Sequence, residues 1–186
     1  MLSSKIEQLI VILENQELDS TNGVSPQLYA ELMAAYLYKN DLCSARFLWK
    51  RIPANVKTGN VELEKIHSVY ICLWNNDIPG FFKTINHEWS NNIAELMFEL
   101  REKTYKETID LIAKAYTSLF EDFLCNMLNQ TPDVITELCN NLGWEVQEGN
   151  YPRLITPRRP PEVKSNTDSA ENLLAKLTDF VSFLEN

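Results

Sequence analysis

The same succession of helix, Asn-Asp break and helix occurs twice in the first half of this chain. The first break begins at Asn40 and the second at Asn76, and each follows a helical pattern that ends in aromatic residues. Asp41 is suited to cap the helix after it, because its side chain can accept a backbone N–H of the first turn. The pattern predicts two consecutive helix–turn–helix units.

The spacing of the two breaks is close to the ~34-residue period of tetratricopeptide repeats. Such repeats stack, so that neighbouring units bury one shared core. Two ordinary helix hairpins that share an Asn-Asp turn are the alternative. The remaining apolar patterns are also helical, the last running from Asn91 to about Leu119, and we expect a tetratricopeptide-like helical-repeat region over residues 1–110.

The pattern changes in the next part of the chain. A short helical stripe is followed by Thr131-Pro132, a typical helix start, and later by Gly143, suited to end that helix. Two short alternating segments then flank a Glu-Gly-Asn turn at residues 148–150, which is a hairpin signal. Helix, helix and hairpin is the order of a winged helix, so we expect one over residues 111–158.

The last fifteen residues form an amphipathic helical pattern. They follow a stretch with few apolar residues, which we interpret as a linker over residues 159–171. A lone helix of this length is marginal in water and persists when it docks against another surface. We therefore expect a C-terminal helix over residues 172–186, in a mainly α fold, that docks either on this chain or on another one. Its apolar stripe consists of Leu173, Leu174, Leu177, Phe180, Val181 and Leu184.

The composition argues against a membrane or a nucleic acid as the partner. No segment approaches the ~20 consecutive apolar residues of a membrane-spanning helix. The net charge of −9 opposes the approach of phosphate groups at long range. The cysteines form no C-x-x-C pair, and we expect buried, reduced thiols in a reducing compartment. They are Cys43, Cys72, Cys125 and Cys139.

Residues that could carry catalysis or hold a metal ion or cofactor are scattered. The two histidines, His67 and His87, lie in separate predicted elements without the spacing of a metal site. We expect His67 to be a satisfied core residue. The five glycines are too far apart for a phosphate-binding loop. We therefore expect no catalytic residue, no metal site and no cofactor.

The winged-helix prediction raises one alternative, which is nucleic-acid binding. The outward positions of its second helix are acidic or amide residues, whereas helices that read the major groove normally carry Arg or Lys there. The basic residues near the wing are expected to form a solvated or salt-bridging rim, with nucleic-acid contact as the alternative. They are Arg153, Arg158 and Arg159.

Helical repeats, a winged helix and a terminal helix together resemble the PCI domain. That domain is named for the proteasome lid, the COP (constitutive photomorphogenesis nine) signalosome and the eukaryotic translation initiation factor three complex. Several stretches resemble signalosome subunits of this family in detail, the LWKRIP and FLEN runs most specifically. They cover residues 14–18, 36–41, 45–53, 115–118 and 177–186.

The resemblance implies a non-catalytic scaffold subunit of the signalosome, which removes Nedd8 from the cullin subunits of ubiquitin ligases. The metalloprotease activity of that complex belongs to another subunit, whose H-x-H pair this chain lacks. The implied partners are other PCI subunits, subunit three first among them, in a hetero-oligomer of the cytoplasm and nucleus. Winged-helix edges and a bundle of C-terminal helices would join them. The expected wing contacts are Trp144, Val146, Leu154 and Ile155.

Overall fold

The computed structural model describes residues 2–19, 24–147, 152–159 and 170–185. Within these ranges the fold is mainly α, as predicted, with a small antiparallel sheet near the C-terminal end. The elements in chain order are α1 (Leu2–Asp19), α2 (Pro26–Lys39), α3 (Leu42–Arg51), α4 (Ala54–Gly59), α5 (Val61–Trp74), α6 (Ile78–Ile85), α7 (Asn91–Ala115), β1 (Leu119–Phe120), α8 (Glu121–Leu128), α9 (Pro132–Leu142), β2 (Glu145–Gln147), β3 (Leu154–Thr156) and α10 (Ala170–Glu185).

Helix α2 lies at the centre of the helical region. It packs against α1, α3, α5 and α7, and its residues from Leu32 to Leu37 are all buried. A helix that is apolar on every side is typically surrounded by protein. Ala30, Ala34 and Ala35 are fully or almost fully buried, and such small side chains let neighbouring helices approach closely.

The two Asn-Asp breaks have the same local structure. Asn40 and Asn76 adopt left-handed backbone conformations, with φ angles of 63° and 55°, which asparagine tolerates better than most residues. Asp41 and Asp77 then cap the following helices, each accepting the N–H of the residue three positions on at 3.0 Å. The predicted repetition of helix, break and helix is therefore confirmed in its geometry.

At the second break the residue that donates to the cap is a glycine. Gly80 donates its N–H to the capping carboxylate of Asp77, and a Cβ atom at Gly80 would overlap that carboxylate. The first break has Ser44 at the equivalent position, and there the serine hydroxyl donates a second hydrogen bond to Asp41 at 2.8 Å. The aspartate therefore caps the following helix at both breaks, although the residue that donates to it is serine at one and glycine at the other.

The predicted helix that runs to about Leu119 is too long. Helix α7 ends at Ala115, and Leu119 lies in strand β1, where it pairs with Ile155 and is buried. A pairing between residues so distant in sequence overrides the local helical pattern. Helix α7 also crosses the predicted boundary at residue 110, and the limits of the predicted regions stay predictions.

The predicted hairpin is confirmed as strands β2 and β3, which pair antiparallel with Val146 opposite Ile155. Its turn lies outside the described residues. Strand β1 pairs with the other side of β3, so the strand order is β1-β3-β2. Gly143 ends α9 in a left-handed conformation with a φ of 66°, as its sequence position predicts.

All four cysteines are free thiols, but one is not buried as expected. Cys139 is buried and Cys72 and Cys125 are half-buried, whereas Cys43 is exposed. The buried face of α3 is formed by Ala45 and Leu48, and helical geometry places Cys43 on the opposite side.

The packing of α3 on α2 gives a direct test of the fold. Leu48 is 0% exposed and Leu18 is 82% exposed, so the two leucines form a matched pair. We expect Leu48→Ala to lower the free energy of unfolding by about 2–5 kcal/mol, because it leaves a cavity in the core. Leu18→Ala should change it by less than about 0.5 kcal/mol. Urea denaturation measures both, and equal effects would contradict this packing.

Candidate assembly surface

The small sheet has an edge that its own described neighbours leave open. Strand β3 lies in the middle, and β2 pairs with β3 on one side only within the described part of the chain. An edge strand presents unpaired backbone N–H and C=O groups, which can pair with a strand of another chain. Strand β2 is therefore a candidate for sheet extension by a partner.

The predicted wing residues are mostly buried within the chain itself, which leaves little of their side chains for contact with a partner. Trp144 and Ile155 are 6% and 1% exposed, and Val146 and Leu154 are half-buried. Strand β2 packs against α9 and β1 against α8, so the backbone of β2 is what this region offers to a partner. A partner contact by any of the four stays a prediction.

The terminal helix α10, unlike the wing residues, exposes most of its apolar side chains. Its predicted stripe is on the surface: Leu174, Leu177, Phe180, Val181 and Leu184 are between 45% and 69% exposed. Leu173 lies in α10, but its side chain is outside the described part of the structure. An apolar helix face of this extent is unusual on a monomer surface and typically marks an interaction site.

One exposed aromatic residue of α10 is absent from the predicted stripe. Phe183 is highly exposed and lies beside the stripe, three residues after Phe180. Side chains three residues apart are neighbours on a helix surface, which is the signal that could have included it. The apolar surface of α10 is therefore wider than the stripe.

The rim interpretation is confirmed for one of the three basic residues. Arg153 forms a salt bridge with Glu121, with 3.4 Å between Nη1 and Oε1. Its carbonyl also accepts the N–H of Glu121 at 3.0 Å, so β3 and α8 are joined at two points. Arg158 and Arg159 are exposed.

The face of α9 that a major-groove reader would use is acidic, as predicted. Asp133, Glu137, Asn140 and Asn141 are all exposed on this helix. Carboxylates at these positions repel a phosphate backbone. The surface next to the sheet is therefore better suited to a protein than to a nucleic acid.

The residues that could act as nucleophiles or metal ligands are the cysteines, histidines and carboxylates of the described ranges. Burial, with Glu121 nearby, raises the pKa of the Cys139 thiol to about 11, and burial raises that of Cys125 as well. Thiols with raised pKa values are poor nucleophiles at neutral pH. A search of the described ranges finds no group of three or more His, Cys, Asp or Glu residues able to hold a metal ion. Among the helices described, none is long and apolar enough to cross a membrane.

Comparison with known proteins identifies the family. Residues 24–165 match the CSN8/PSMD8/EIF3K family. The chain belongs to the CSN8/PSMD8/EIF3K family. The match covers most of the chain, from α2 to the sheet, and the family resemblance drawn from the sequence is confirmed.

Relatives within the family are similar along most or nearly all of their length. The chain is 36% identical over 189 residues to the COP9 signalosome complex subunit 8 of Danio rerio, covering 100% of this chain and 97% of the relative. It is 32% identical to the protein of the same name from Drosophila melanogaster, covering 98% of both chains. The Arabidopsis thaliana protein of that name is 28% identical, over 85% of this chain and 79% of its own length.

The contact between Arg153 and Glu121 can be tested by a double-mutant cycle. We expect Arg153→Met to lower the free energy of unfolding by about 1–3 kcal/mol, because it leaves the buried Glu121 carboxylate unpaired. Adding Glu121→Gln should recover part of that loss. The control Arg158→Met removes an exposed arginine of the same cluster and should cost less than about 0.5 kcal/mol. Equal costs for the two arginine variants would argue against the salt bridge.

Proposed function

We propose that this chain is a non-catalytic scaffold subunit of the COP9 signalosome, the complex that removes Nedd8 from cullin subunits of ubiquitin ligases. The observation that carries the proposal is similarity along the whole chain to proteins named COP9 signalosome complex subunit 8. The relatives come from animals, a plant and Dictyostelium discoideum. The cytoplasm and nucleus are the proposed location.

The proposed role is structural because the described surface favours contact over chemistry. The apolar face of α10 is exposed, while the thiols of half-buried Cys125 and buried Cys139 have raised pKa values. Each large apolar side chain gains ~1.5–3 kcal/mol when it is fully buried. A helix of this length is marginal alone. A shared bundle with helices of other subunits would provide that burial.

The proposed partners are other PCI subunits of the signalosome, with subunit three first among them. Two features support a hetero-oligomer of this kind. The open edge of β2 offers backbone groups for pairing with a strand of a neighbour, and α10 offers the apolar stripe. The winged-helix edge and the helix bundle would then contribute separate contacts to one assembly.

Nucleic-acid binding is less well supported than protein contact. Of the three arginines that motivate it, Arg153 is paired with Glu121. The exposed face of α9 is acidic. Salt-dependent binding of duplex DNA that is lost on replacing Arg158 and Arg159 by alanine would revive this alternative.

The stripe on α10 gives the test of the proposal. We expect the triple variant Leu177→Gln, Phe180→Gln and Leu184→Gln to bind signalosome subunit three at least about a hundredfold more weakly, because each lost apolar contact costs ~1 kcal/mol or more. Because these side chains are exposed, the stability of the isolated chain should stay within about 0.5 kcal/mol. Co-purification and isothermal titration calorimetry measure the binding.

The matched control also introduces three glutamines, but on the other face of the helix. Ala175→Gln, Asp179→Gln and Ser182→Gln lie opposite the stripe by helical geometry. This variant should bind like the unmodified chain. If the stripe variant also bound like the unmodified chain, α10 would not be the assembly surface.

A further inference from the structure

We propose that a second surface, on α3, α4 and α5, docks an acidic segment of a protein partner. We call this surface the cationic ladder. It comprises four aromatic rings and two cations: Trp49, His67, Tyr70 and Trp74 with Arg46 and Lys57. It goes beyond the proposed scaffold role, because neither α10 nor the sheet contributes to it.

The charge distribution along the chain is the first observation. The chain has 26 acidic and 17 basic residues, yet residues 42–74, from α3 to the end of α5, contain five basic residues and only two carboxylates, Glu62 and Glu64. Arg46 and Lys50 are exposed there, and Lys57 is half-buried. Arg51 is already held by Glu17 at 2.6 Å. A positive face on an otherwise acidic protein attracts and orients an acidic partner.

The geometry of the rings is the second observation. Trp49 and His67 stack with centroids 3.8 Å apart and planes 10° apart, and Tyr70 continues the row at 5.6 Å from His67. Lys57 Nζ lies 5.0 Å from the Trp49 ring centroid, and Arg46 Cζ lies 5.2 Å from that of Trp74. These cation–π contacts already hold the two cationic side chains in place. Binding a partner therefore costs little additional side-chain entropy.

The same contacts argue against a single-stranded nucleic acid as the occupant. Proteins of that class bind bases by stacking them on free aromatic faces. Here Trp49 is covered by His67 and Lys57, and Arg46 lies over Trp74, which stays partly exposed. Burial and the charge of Lys57 lower the pKa of His67, so this ring is neutral at pH 7. The ladder presents cations at its surface.

Apolar groups beside the ladder indicate what else the partner carries. Phe47, next to Arg46, is 62% exposed, and Trp74, at the end of the ladder, is 44% exposed. Trp74 also lines a groove of about 700 Å³, together with Leu73 and Leu111. An acidic segment could place a carboxylate on Arg46 and Lys50 and an apolar side chain in this groove.

The ladder is separate from the candidate assembly surface. Helix α3 packs against α2 and α5, whereas β2 packs against α9, and β1 against α8. A partner on the ladder can therefore bind while the edge of β2 is occupied.

The test uses the full-length chain and a fluorescein-labelled peptide of about 12 residues, in which Glu and Asp flank one Phe and one Leu at helical spacing. We expect saturable binding by fluorescence anisotropy, weakened at least tenfold (~1.4 kcal/mol) by Arg46→Glu with Lys50→Glu. The control Lys5→Glu with Lys83→Glu changes the net charge equally at exposed positions elsewhere, and should stay within about twofold. Lys50→Glu alone disturbs no ring contact described for the ladder, and should weaken binding by at least about threefold.

Three results would overturn the proposal. The first is absence of saturable peptide binding at low salt. The second is equal weakening by the control pair, which would show a general charge effect. The third is tighter binding of a single-stranded oligonucleotide of the same charge with the same loss on Arg46→Glu and Lys50→Glu, which would assign the ladder to nucleic acid.

Discussion

The burial of α2 on all sides is the packing on which the rest of the structure depends. Four helices surround it, and polar contacts fix their positions. The Tyr36 hydroxyl donates to Glu14 of α1 at 2.6 Å, and Lys103 of α7 donates to the Tyr38 carbonyl at 2.8 Å. Burial and the Glu14 carboxylate raise the pKa of Tyr36, which keeps its hydroxyl protonated as the donor. The helical region therefore needs no partner chain to form its core.

The C-terminal part of the chain, from β2 onward, in contrast buries few of its described apolar side chains. Its sheet strands are only two or three residues long, and α10 exposes most of its apolar stripe. Short strands and a single amphipathic helix gain little stability by themselves. A protein whose core is complete and whose C-terminal helix exposes an apolar face is suited to assembly, since the core would hold its shape while a neighbour covers that face.

Local sequence signals predicted much of this architecture. Features that depend on contacts between residues distant in the sequence were not predicted. The Asn-Asp breaks and Gly143 were predictable, because their backbone conformations depend on a few adjacent residues. Strand β1 was missed because it exists only by pairing with β3, more than thirty residues later. The burial of Trp144 and the cationic ladder depend in the same way on which helices pack together. The apolar stripe of α10 was predictable, because helical spacing alone defines it, whereas its exposure depends on how the rest of the chain packs.

Hydrogen exchange measured by mass spectrometry tests the central claim most directly, namely that α10 is completed by another subunit while the helical core is complete alone. Backbone amides of residues 174–184 should exchange rapidly in the isolated chain and become protected on addition of signalosome subunit three, whereas those of α2 should be protected in both samples. Strong protection of residues 174–184 in the isolated chain, unchanged by the partner, would contradict the account.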